Sequence, residues 1–143
     1  MFLGEFEHTI DEKGRITIPA KFRGRLAAGM VITKGIDNCL WLYPLDVWEI
    51  LAKKISALPL TDPRAREFSR QVFGGASDDE PDRQGRVNVP SYLREYANID
   101  KQAMIIGLHD HCEIWNADQW RERQEKSHND PEGRAALFES LGI

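Results

Sequence analysis

Apolar and polar residues alternate along residues 15–18, where arginine and threonine are interleaved with two isoleucines. A period of two residues is typical of a strand with one buried face, so the pattern predicts that Arg15 and Thr17 point away from the core. Pro19 ends this strand because proline has no amide hydrogen to donate. The residues that follow, Ala20–Leu26, are long enough only for a short helix.

Two apolar runs, Met30–Lys34 and residues 39–43, come next, and a short polar stretch separates them. This spacing predicts a β-hairpin. Asp46 is then the expected N-cap of a helix that runs to about Ala57, because Pro59 cannot continue a helix. Paired strands that are followed by helices indicate a mixed α+β protein.

The segment DEKGRITIPAKFR at residues 11–23 returns as DRQGRVNVPSYLR at residues 82–94. After a one-residue insertion the similarity continues as far as Trp48 in the first copy and Trp120 in the second. An internal repeat of this length indicates two similar structural units in one chain.

The helix that ends the second copy is expected at residues 117–127, with Asn116 as its N-cap. Two further helices are predicted outside the repeat: one opens at Asp62 and closes at the glycine pair 74–75, and the other opens at Asp130. The predicted order is β-β-α-β-β-α, a connecting helix, the same set again and a terminal helix. It divides the chain into a first unit, a connecting helix, a second unit and a C-terminal helix at residues 1–57, 58–75, 76–127 and 128–143.

Both copies of the repeat place the same kind of turn ahead of an arginine. Asp11 and Asp82 are expected to accept hydrogen bonds from nearby backbone amides, and Gly14 and Gly85 are free to take a positive φ. Apolar segments lie on both sides of each turn, which predicts two β-hairpins. These four residues are therefore assigned structural roles in the turns.

The formal net charge of the chain is −4, which by itself argues against a nucleic-acid partner. The basic residues are concentrated in the repeated segments, however. Residues 13–25 hold five basic side chains and no acidic one, and residues 83–94 hold three and no acidic one. The sequence therefore predicts a locally positive surface on an otherwise acidic protein.

Two arginine-bearing hairpins held side by side are suited to binding double-stranded DNA. The planar guanidinium group of Arg15 or Arg86 can bond a guanine edge or a phosphate at two points, and a two-stranded ribbon fits the major groove. Other basic residues, at the first turn and near the short helices, are expected to contact phosphates: Lys13, Lys21, Arg23 and Arg94.

A purely structural interpretation of the repeat is also open. Asp11 and Arg15, like Asp82 and Arg86, can form an internal salt bridge within a tight turn, and the repeat then reflects only a doubled fold. The two interpretations are compatible, because the aspartate can shape the turn while the arginine binds DNA.

The D-x-x-x-R turn, followed by alternating apolar residues, proline and a short basic helix, resembles the AbrB/SpoVT DNA-binding element. Two such elements in one chain, with an opening of the form MFxGExxHxxDxKGRxxIPAxFR, are similar to the MraZ family of bacterial transcriptional regulators. The resemblance covers nearly the whole chain, and only the terminal helix from Asp130 lies outside the matched motifs.

This resemblance implies two AbrB/SpoVT-like ββαββα units that form an intrachain pseudo-two-fold swapped-hairpin barrel with peripheral helices. It implies a ring-like homo-oligomer that binds repeated short boxes in the promoter of its own division and cell-wall operon, commonly as a repressor. The DNA contacts carried over to this sequence are Lys13, Arg15, Arg83, Gln84 and Arg86. Because the first turn reads DEKG and the second reads DRQG, the two halves need not contact DNA equally.

Other kinds of site find little support in the sequence. His109, His111 and Cys112 are close in sequence, but a closed zinc site needs four ligands, usually in two spaced pairs, and no C-x-x-C or H-x-x-x-H pair exists. We interpret the segment as a polar turn beside a buried thiol, with no metal. No G-x-S-x-G, Walker or G-x-G-x-x-G motif is present, so no enzyme activity, cofactor or small-molecule substrate is expected.

No apolar stretch approaches the length needed to cross a bilayer, and the opening MFLGEFEHTI lacks the basic start of a secretory signal. A cytoplasmic, nucleoid-associated protein without membrane contact is therefore expected, with Cys39 and Cys112 as buried thiols. The alternative function is an oligomeric scaffold or antitoxin-like assembly module, in which the hairpins serve oligomerisation and bind no specific DNA.

Overall fold

The computed structural model describes the whole chain, Met1–Ile143, as eight strands and six helices. In chain order the elements are β1 (Phe2–Thr9), β2 (Arg15–Thr17), α1 (Ala20–Leu26), β3 (Met30–Lys34), β4 (Leu40–Pro44), α2 (Leu45–Ser56), α3 (Pro63–Gly74), β5 (Ser77–Asp79), β6 (Arg86–Asn88), α4 (Ser91–Tyr96), β7 (Gln102–His109), β8 (Cys112–Asn116), α5 (Ala117–His128) and α6 (Pro131–Ser140). The predicted order of elements is confirmed.

The strands form an antiparallel six-stranded sheet, in the order β1-β7-β8-β4-β3-β5, and a separate antiparallel ribbon of β2 and β6. Strands β1 to β4 of the first unit correspond to β5 to β8 of the second. When each strand is replaced by its counterpart, the order of the large sheet is the same from either end. The predicted mixed α+β class is confirmed, and the two units are interleaved in a symmetric pattern.

The prediction of a local β-hairpin at each D-x-x-x-R turn is wrong. The turn at residues 11–14 is closed by a hydrogen bond from the amide of Asp11 to the carbonyl oxygen of Arg15, at 2.9 Å, but the strands on either side of it do not pair. Instead β1 pairs with β7, β5 pairs with β3, and β2 pairs with β6. In this register Ile16 lies directly opposite Val87, and the two side chains are buried together in the shared core, at 0% and 1% exposure.

The main hydrophobic core draws on both units. It contains Ile16 and Val87 from the ribbon, Phe22 and Leu93 from the short helices α1 and α4, and the inward side chains of the large sheet. The rings of Phe2 and Phe22 meet edge to face, with their centroids 5.1 Å apart. Because neither unit has a core of its own, the ribbon is held in place by residues from both halves of the sequence.

A second, smaller apolar cluster lies apart from the main core. Cys39, Met104, Ile106 and Trp115 form its buried part, and two half-buried tryptophans, Trp41 and Trp120, pack against it. The prediction that both cysteines are buried thiols is confirmed, and burial raises the pKa of each to about 12. Neither thiol is therefore reactive near neutral pH.

The helix ends follow local sequence signals with one exception. Side chains of Asp62, Asn116 and Asp130 accept backbone hydrogen bonds at the starts of α3, α5 and α6. The predicted N-cap Asn116 and the predicted helix starts at Asp62 and Asp130 are therefore confirmed. The N-cap of α2 is Pro44, not the predicted Asp46. Asp46 lies in the first turn of α2 and bonds both terminal nitrogens of Arg25, at 2.8 and 2.9 Å.

The terminal helix α6 contributes no buried residue. Its apolar side chains are more than half exposed at Leu137 and Phe138, and α5 is the helix it packs against. None of the helices is both long and apolar enough to span a membrane.

Candidate nucleic-acid interface

The first turn is built around the carboxylate of Asp11. Its Oδ1 accepts hydrogen bonds from the backbone amides of Lys13 and Arg15, at 2.9 and 2.8 Å, and its Oδ2 accepts one from Nε of Arg15, at 2.8 Å. Gly14 completes the turn with a φ of +79°, a backbone conformation that residues with a side chain rarely adopt. One carboxylate thus shapes the backbone and orients the arginine side chain.

The second turn repeats this geometry. Oδ1 of Asp82 accepts from the amides of Gln84 and Arg86, both at 2.9 Å, and Oδ2 accepts from Nε of Arg86, at 2.8 Å. Gly85 has a φ of +75°. The two D-x-x-x-R sequences therefore produce the same local structure, although one turn contains Lys13 where the other contains Gln84.

These contacts hold both carboxylates in the ionised form. The pKa of Asp11 lies below its ordinary value, chiefly because of the hydrogen bond from the amide of Arg15, although partial desolvation acts in the opposite direction. The pKa of Asp82 is lowered in the same way by the amide of Arg86. Each turn thus contains a stable ion pair near neutral pH.

The salt bridges leave part of each guanidinium group free. In both cases the aspartate bonds Nε, and neither terminal nitrogen of Arg15 or Arg86 has a hydrogen-bond partner in the protein. The side chains are 29% and 31% exposed. An arginine anchored at Nε still has its outer nitrogens available for an acceptor in solution.

The ribbon brings the two arginines onto one face. Arg15 lies opposite Asn88, and Arg86 lies opposite Thr17. Because Ile16 and Val87 point into the core, the alternation along each strand turns both arginines to the other side. They occupy diagonal positions, which are about 7–8 Å apart in an antiparallel pair.

The two turns lie at opposite ends of this ribbon. Hydrogen bonds from the amide of Ile18 to the oxygen of Gly85, at 2.7 Å, and from the amide of Val89 to the oxygen of Gly14, at 2.8 Å, extend the ribbon to each turn. Four residue steps separate Gly14 from Ile18, a length of about 13 Å along the strand. The exposed side chains at the turns include Glu12 and Lys13 at one end and Arg83 and Gln84 at the other.

Arg23 and Arg94 are turned toward the protein. Nε of Arg23 donates to the carbonyl oxygen of Ile18, at 3.0 Å, and Nε of Arg94 donates to that of Val89, at 2.9 Å. Each guanidinium group also lies against the glycine of the other unit's turn, so that a Cβ on Gly14 would come within 2.9 Å of a terminal nitrogen of Arg94. Both arginines are half-buried and support the turns as well as adding positive charge.

Lys21 is exposed on α1, with its Nζ 4.9 Å from the centre of the Phe6 ring. Its counterpart in the second unit is Tyr92, whose hydroxyl donates to the carbonyl oxygen of Gly75, at 3.1 Å. The short helix of the second unit therefore lacks the lysine that the first unit presents.

Two outward residues of the ribbon were not among the site residues predicted from sequence. Thr17 and Asn88 complete the outward face beside the arginines, and Asn88 is exposed. The alternating pattern already placed Thr17 outside the core. What identifies the pair as neighbours of Arg15 and Arg86 is the register between β2 and β6, which sequence patterns do not specify.

The segment that contains His109 and His111 forms the turn between β7 and β8. Nδ1 of His111 lies 2.7 Å from Oδ1 of Asp110, and this contact is the main reason that the pKa of Asp110 is low. The ring of His111 also stacks on Tyr43, with centroids 4.6 Å apart. Cys112 belongs to the main core, so these side chains do not converge on one point.

Comparison with known proteins gives consistent matches over the whole chain. A family model described as "MraZ protein, putative antitoxin-like" matches residues 1–71 and again residues 72–139. A protein of Herpetosiphon aurantiacus is 54% identical over 121 residues, which is 85% of each chain. Proteins of Syntrophomonas wolfei and Halothermothrix orenii are 48% and 46% identical over 143 residues, the full length of both chains in each case. All three relatives are named "Transcriptional regulator MraZ".

Proposed function

The chain belongs to the MraZ family of transcriptional regulators, and on this basis we propose that it binds double-stranded promoter DNA through the outward face of the ribbon formed by β2 and β6. The relatives are named as regulators and not as enzymes. The observation that carries the proposal is that Arg15 and Arg86 stand on the same face of one ribbon, each with two free terminal nitrogens.

The dimensions of the ribbon suit the major groove of B-DNA. That groove is about 12 Å wide and admits a two-stranded β-ribbon, and the diagonal separation of about 7–8 Å lets two arginines reach it together. Arginine bonds O6 and N7 of guanine at two points. Asp11 and Asp82 hold the two guanidinium groups in place before DNA arrives, which reduces the entropy lost on binding.

The remaining predicted contacts lie around this face and bond phosphates in the proposal. Lys13 extends from the turn at one end of the ribbon, and Arg83 and Gln84 extend from the turn at the other. Arg23 and Arg94 add positive charge beside the turns, and Lys21 adds it on α1. Phosphate contacts fix the position of the ribbon without reading bases. Because Lys13 in the first turn is replaced by Gln84 in the second, the two ends of the ribbon bind the DNA backbone unequally.

The finer features of the regulator are also part of the proposal. The first and second units span residues 1–57 and 76–127, with a connecting helix at 58–75 and a C-terminal helix at 128–143, and form a pseudo-two-fold swapped-hairpin barrel. Several copies assemble into a ring that binds repeated short boxes in the promoter of the chain's own operon and represses it, in the cytoplasm at the nucleoid. Multivalent binding supports this arrangement, because a single small ribbon makes few contacts with one box.

The proposal is tested by measuring affinity for a promoter fragment over a series of salt concentrations. Each phosphate that the protein neutralises adds about −0.9 to the slope of log affinity against log salt concentration. Several basic contacts therefore predict a steep slope, together with a footprint that covers repeated boxes. A well-folded sample with no measurable affinity for its own promoter at low salt would contradict the proposal.

A second function is favoured by the description of the matched family as antitoxin-like. In this alternative the chain is an oligomeric scaffold or antitoxin-like assembly module, and the exposed turns contact other protein subunits. It predicts stable oligomers whose formation requires Arg15 and Arg86, with no specific affinity for promoter DNA. The salt series and a measurement of oligomer mass therefore separate the two functions.

A further inference from the structure

The outward face of the ribbon displays four side chains in a compact block. Arg15 and Arg86 occupy one diagonal, and Thr17 and Asn88 occupy the other. Directly opposite residues in an antiparallel pair have Cβ atoms about 4.5–5.5 Å apart, so each arginine has the threonine or the asparagine as its nearest neighbour across the ribbon. Any group that contacts both arginines therefore also lies within reach of Thr17 and Asn88.

The side chain of Asn88 is available for binding. Its backbone amide donates to Oδ2 of Asp79, at 3.0 Å, which fixes the main chain at the end of β6. Its side-chain amide makes no hydrogen bond with the protein, and the residue is exposed. The backbone of Asn88 is therefore anchored, and its side chain is open to a partner from solution.

Thr17 and Asn88 are the residues in which the two halves of this face differ. Arg15 and Arg86 are counterparts in the two copies, and so are Thr17 and Asn88. A rotation that superposes one repeat on the other would place each arginine on the other arginine, but it would place Thr17 on Asn88. The block of four side chains is thus symmetric in its arginines and asymmetric in the other two residues.

Threonine and asparagine recognise different base edges. The carboxamide of asparagine can bond adenine at two points at once: its NH₂ group donates to N7, and its oxygen accepts from the N6 amino group. Threonine has one hydroxyl group and a methyl group, which suits a single hydrogen bond or apolar contact with the methyl group of thymine. Of these two residues, Asn88 is the one that can make a two-point contact with adenine in addition to the arginine contacts with guanine.

We propose that Asn88 is a specificity-determining residue that reads an adenine next to the bases bound by the arginines, and that its non-equivalence with Thr17 gives the ribbon a preferred direction on DNA. The inference rests on the proposed DNA-binding function and goes beyond it by assigning a base preference. One ribbon, although built from two repeats, then recognises a sequence that differs from its own reverse complement.

The test is a selection of preferred duplexes from a library in which the box is randomised, followed by affinity measurements on single-base variants. The proteins compared are the full-length wild type, Asn88→Thr, Asn88→Ser and the exchange variant with Thr17→Asn and Asn88→Thr together. Asn129→Thr is the matched control, because Asn129 is an exposed asparagine at the end of α5. Thermal unfolding confirms that each variant is folded.

The wild type and Asn129→Thr are expected to favour adenine at one position by about tenfold. Asn88→Thr and Asn88→Ser should lose that preference and keep the preference for guanine, and the exchange variant should move the adenine to the other end of the box. Unchanged base preference in both Asn88 variants, or an equal loss of affinity for every sequence, would overturn the inference while leaving DNA binding intact. Failure of the wild type to select any duplex would instead contradict the proposed function itself.

Discussion

Arg23 of the first unit packs its guanidinium group against Gly85, in the turn of the second unit, and Arg94 stands in the same relation to Gly14. Each arginine also bonds a carbonyl oxygen at the end of its own ribbon strand. The shape of each turn is therefore supported by an arginine on the short helix of the other unit. Support from both units means that the two arginine-bearing turns are positioned by the joint core and not by local sequence alone.

A side chain at either turn glycine is expected to disturb this arrangement. Both glycines have a positive φ, which costs other residues about 1–2 kcal/mol. The Cβ of Gly85→Ala would also lie 2.7 Å from Cδ of Arg23, deep in its side chain, whereas that of Gly14→Ala meets the outer end of Arg94. We expect Gly85→Ala to lower the free energy of unfolding in urea by more than Gly14→Ala does.

Gly24→Ala provides the control for these variants. Gly24 lies within α1, has no atom near the position of a new Cβ, and does not have a positive φ. Alanine there is expected to stabilise the protein by up to about 1 kcal/mol. Equal stability of Gly85→Ala and Gly24→Ala would show that the packing of Arg23 on the turn is not important.

Arg94 and Lys13 are expected to respond differently to substitution, although both carry one positive charge. Arg94→Ala removes the bond to the oxygen of Val89 and should lower the free energy of unfolding by about 1 kcal/mol. Lys13→Ala removes an exposed side chain with no partner in the protein and should leave stability unchanged. In DNA binding, Lys13→Ala should reduce the magnitude of the salt slope by about 0.9. An unchanged slope would mean that Lys13 does not contact a phosphate.

Acid below about pH 4 is expected to weaken both turns. The pKa values of Asp11 and Asp82 are lowered in the folded chain, so the stability they contribute is fully present above the ordinary value of 3.8 and is lost as pH falls through the lower folded values. The double variant Asp11→Asn with Asp82→Asn should be less stable than the wild type at pH 7. The difference should shrink below about pH 4.

Thermal unfolding between pH 2 and pH 7 measures this difference directly. Titration of these two carboxyl groups should have no effect on DNA affinity between about pH 5 and pH 8, because both remain ionised there. A constant difference in stability between the two proteins down to the lowest pH would be inconsistent with paired, ionised aspartates.

Removal of α6 is expected to leave the rest of the protein folded. None of its residues is buried, and its apolar side chains Leu137 and Phe138 are more than half exposed. A chain that ends after Asp130 should therefore unfold in urea within about 0.5 kcal/mol of the full chain, as for other changes at the surface. A much larger loss would show that α6 packs against the body of the protein or against another copy.

Local features of the fold were predictable from sequence because their causes are local. Asp62, Asn116 and Asp130 cap helices through bonds to amides two or three residues away, so the nearby sequence is sufficient to identify them. Asp46 does not cap α2 because its carboxylate bonds Arg25, which lies in a different helix and is not identified by the nearby sequence.

The pairing of the strands was not predictable in this way. The alternating residues of β2 would bury Ile16 equally well in a local hairpin or in a ribbon with β6, since the pattern shows which face is buried and not which strand lies alongside. The repeat indicated two similar units, but their interleaving depends on the shared core around Ile16 and Val87. It is this long-range pairing of β2 with β6 that places Arg15, Thr17, Arg86 and Asn88 next to one another.

The central claim is that the free nitrogens of Arg15 and Arg86 bind promoter DNA. The most direct measurement is the affinity of Arg15→Ala and Arg86→Ala for a promoter fragment by fluorescence anisotropy at one fixed salt concentration. The control is Arg70→Ala, which removes a 69% exposed arginine whose partner is Glu67 on the same helix. Each ribbon variant should bind about tenfold or more weakly, since a two-point arginine contact contributes about 1–3 kcal/mol, and the control should bind as the wild type does. Wild-type affinity in both ribbon variants, with all proteins folded, would contradict the account.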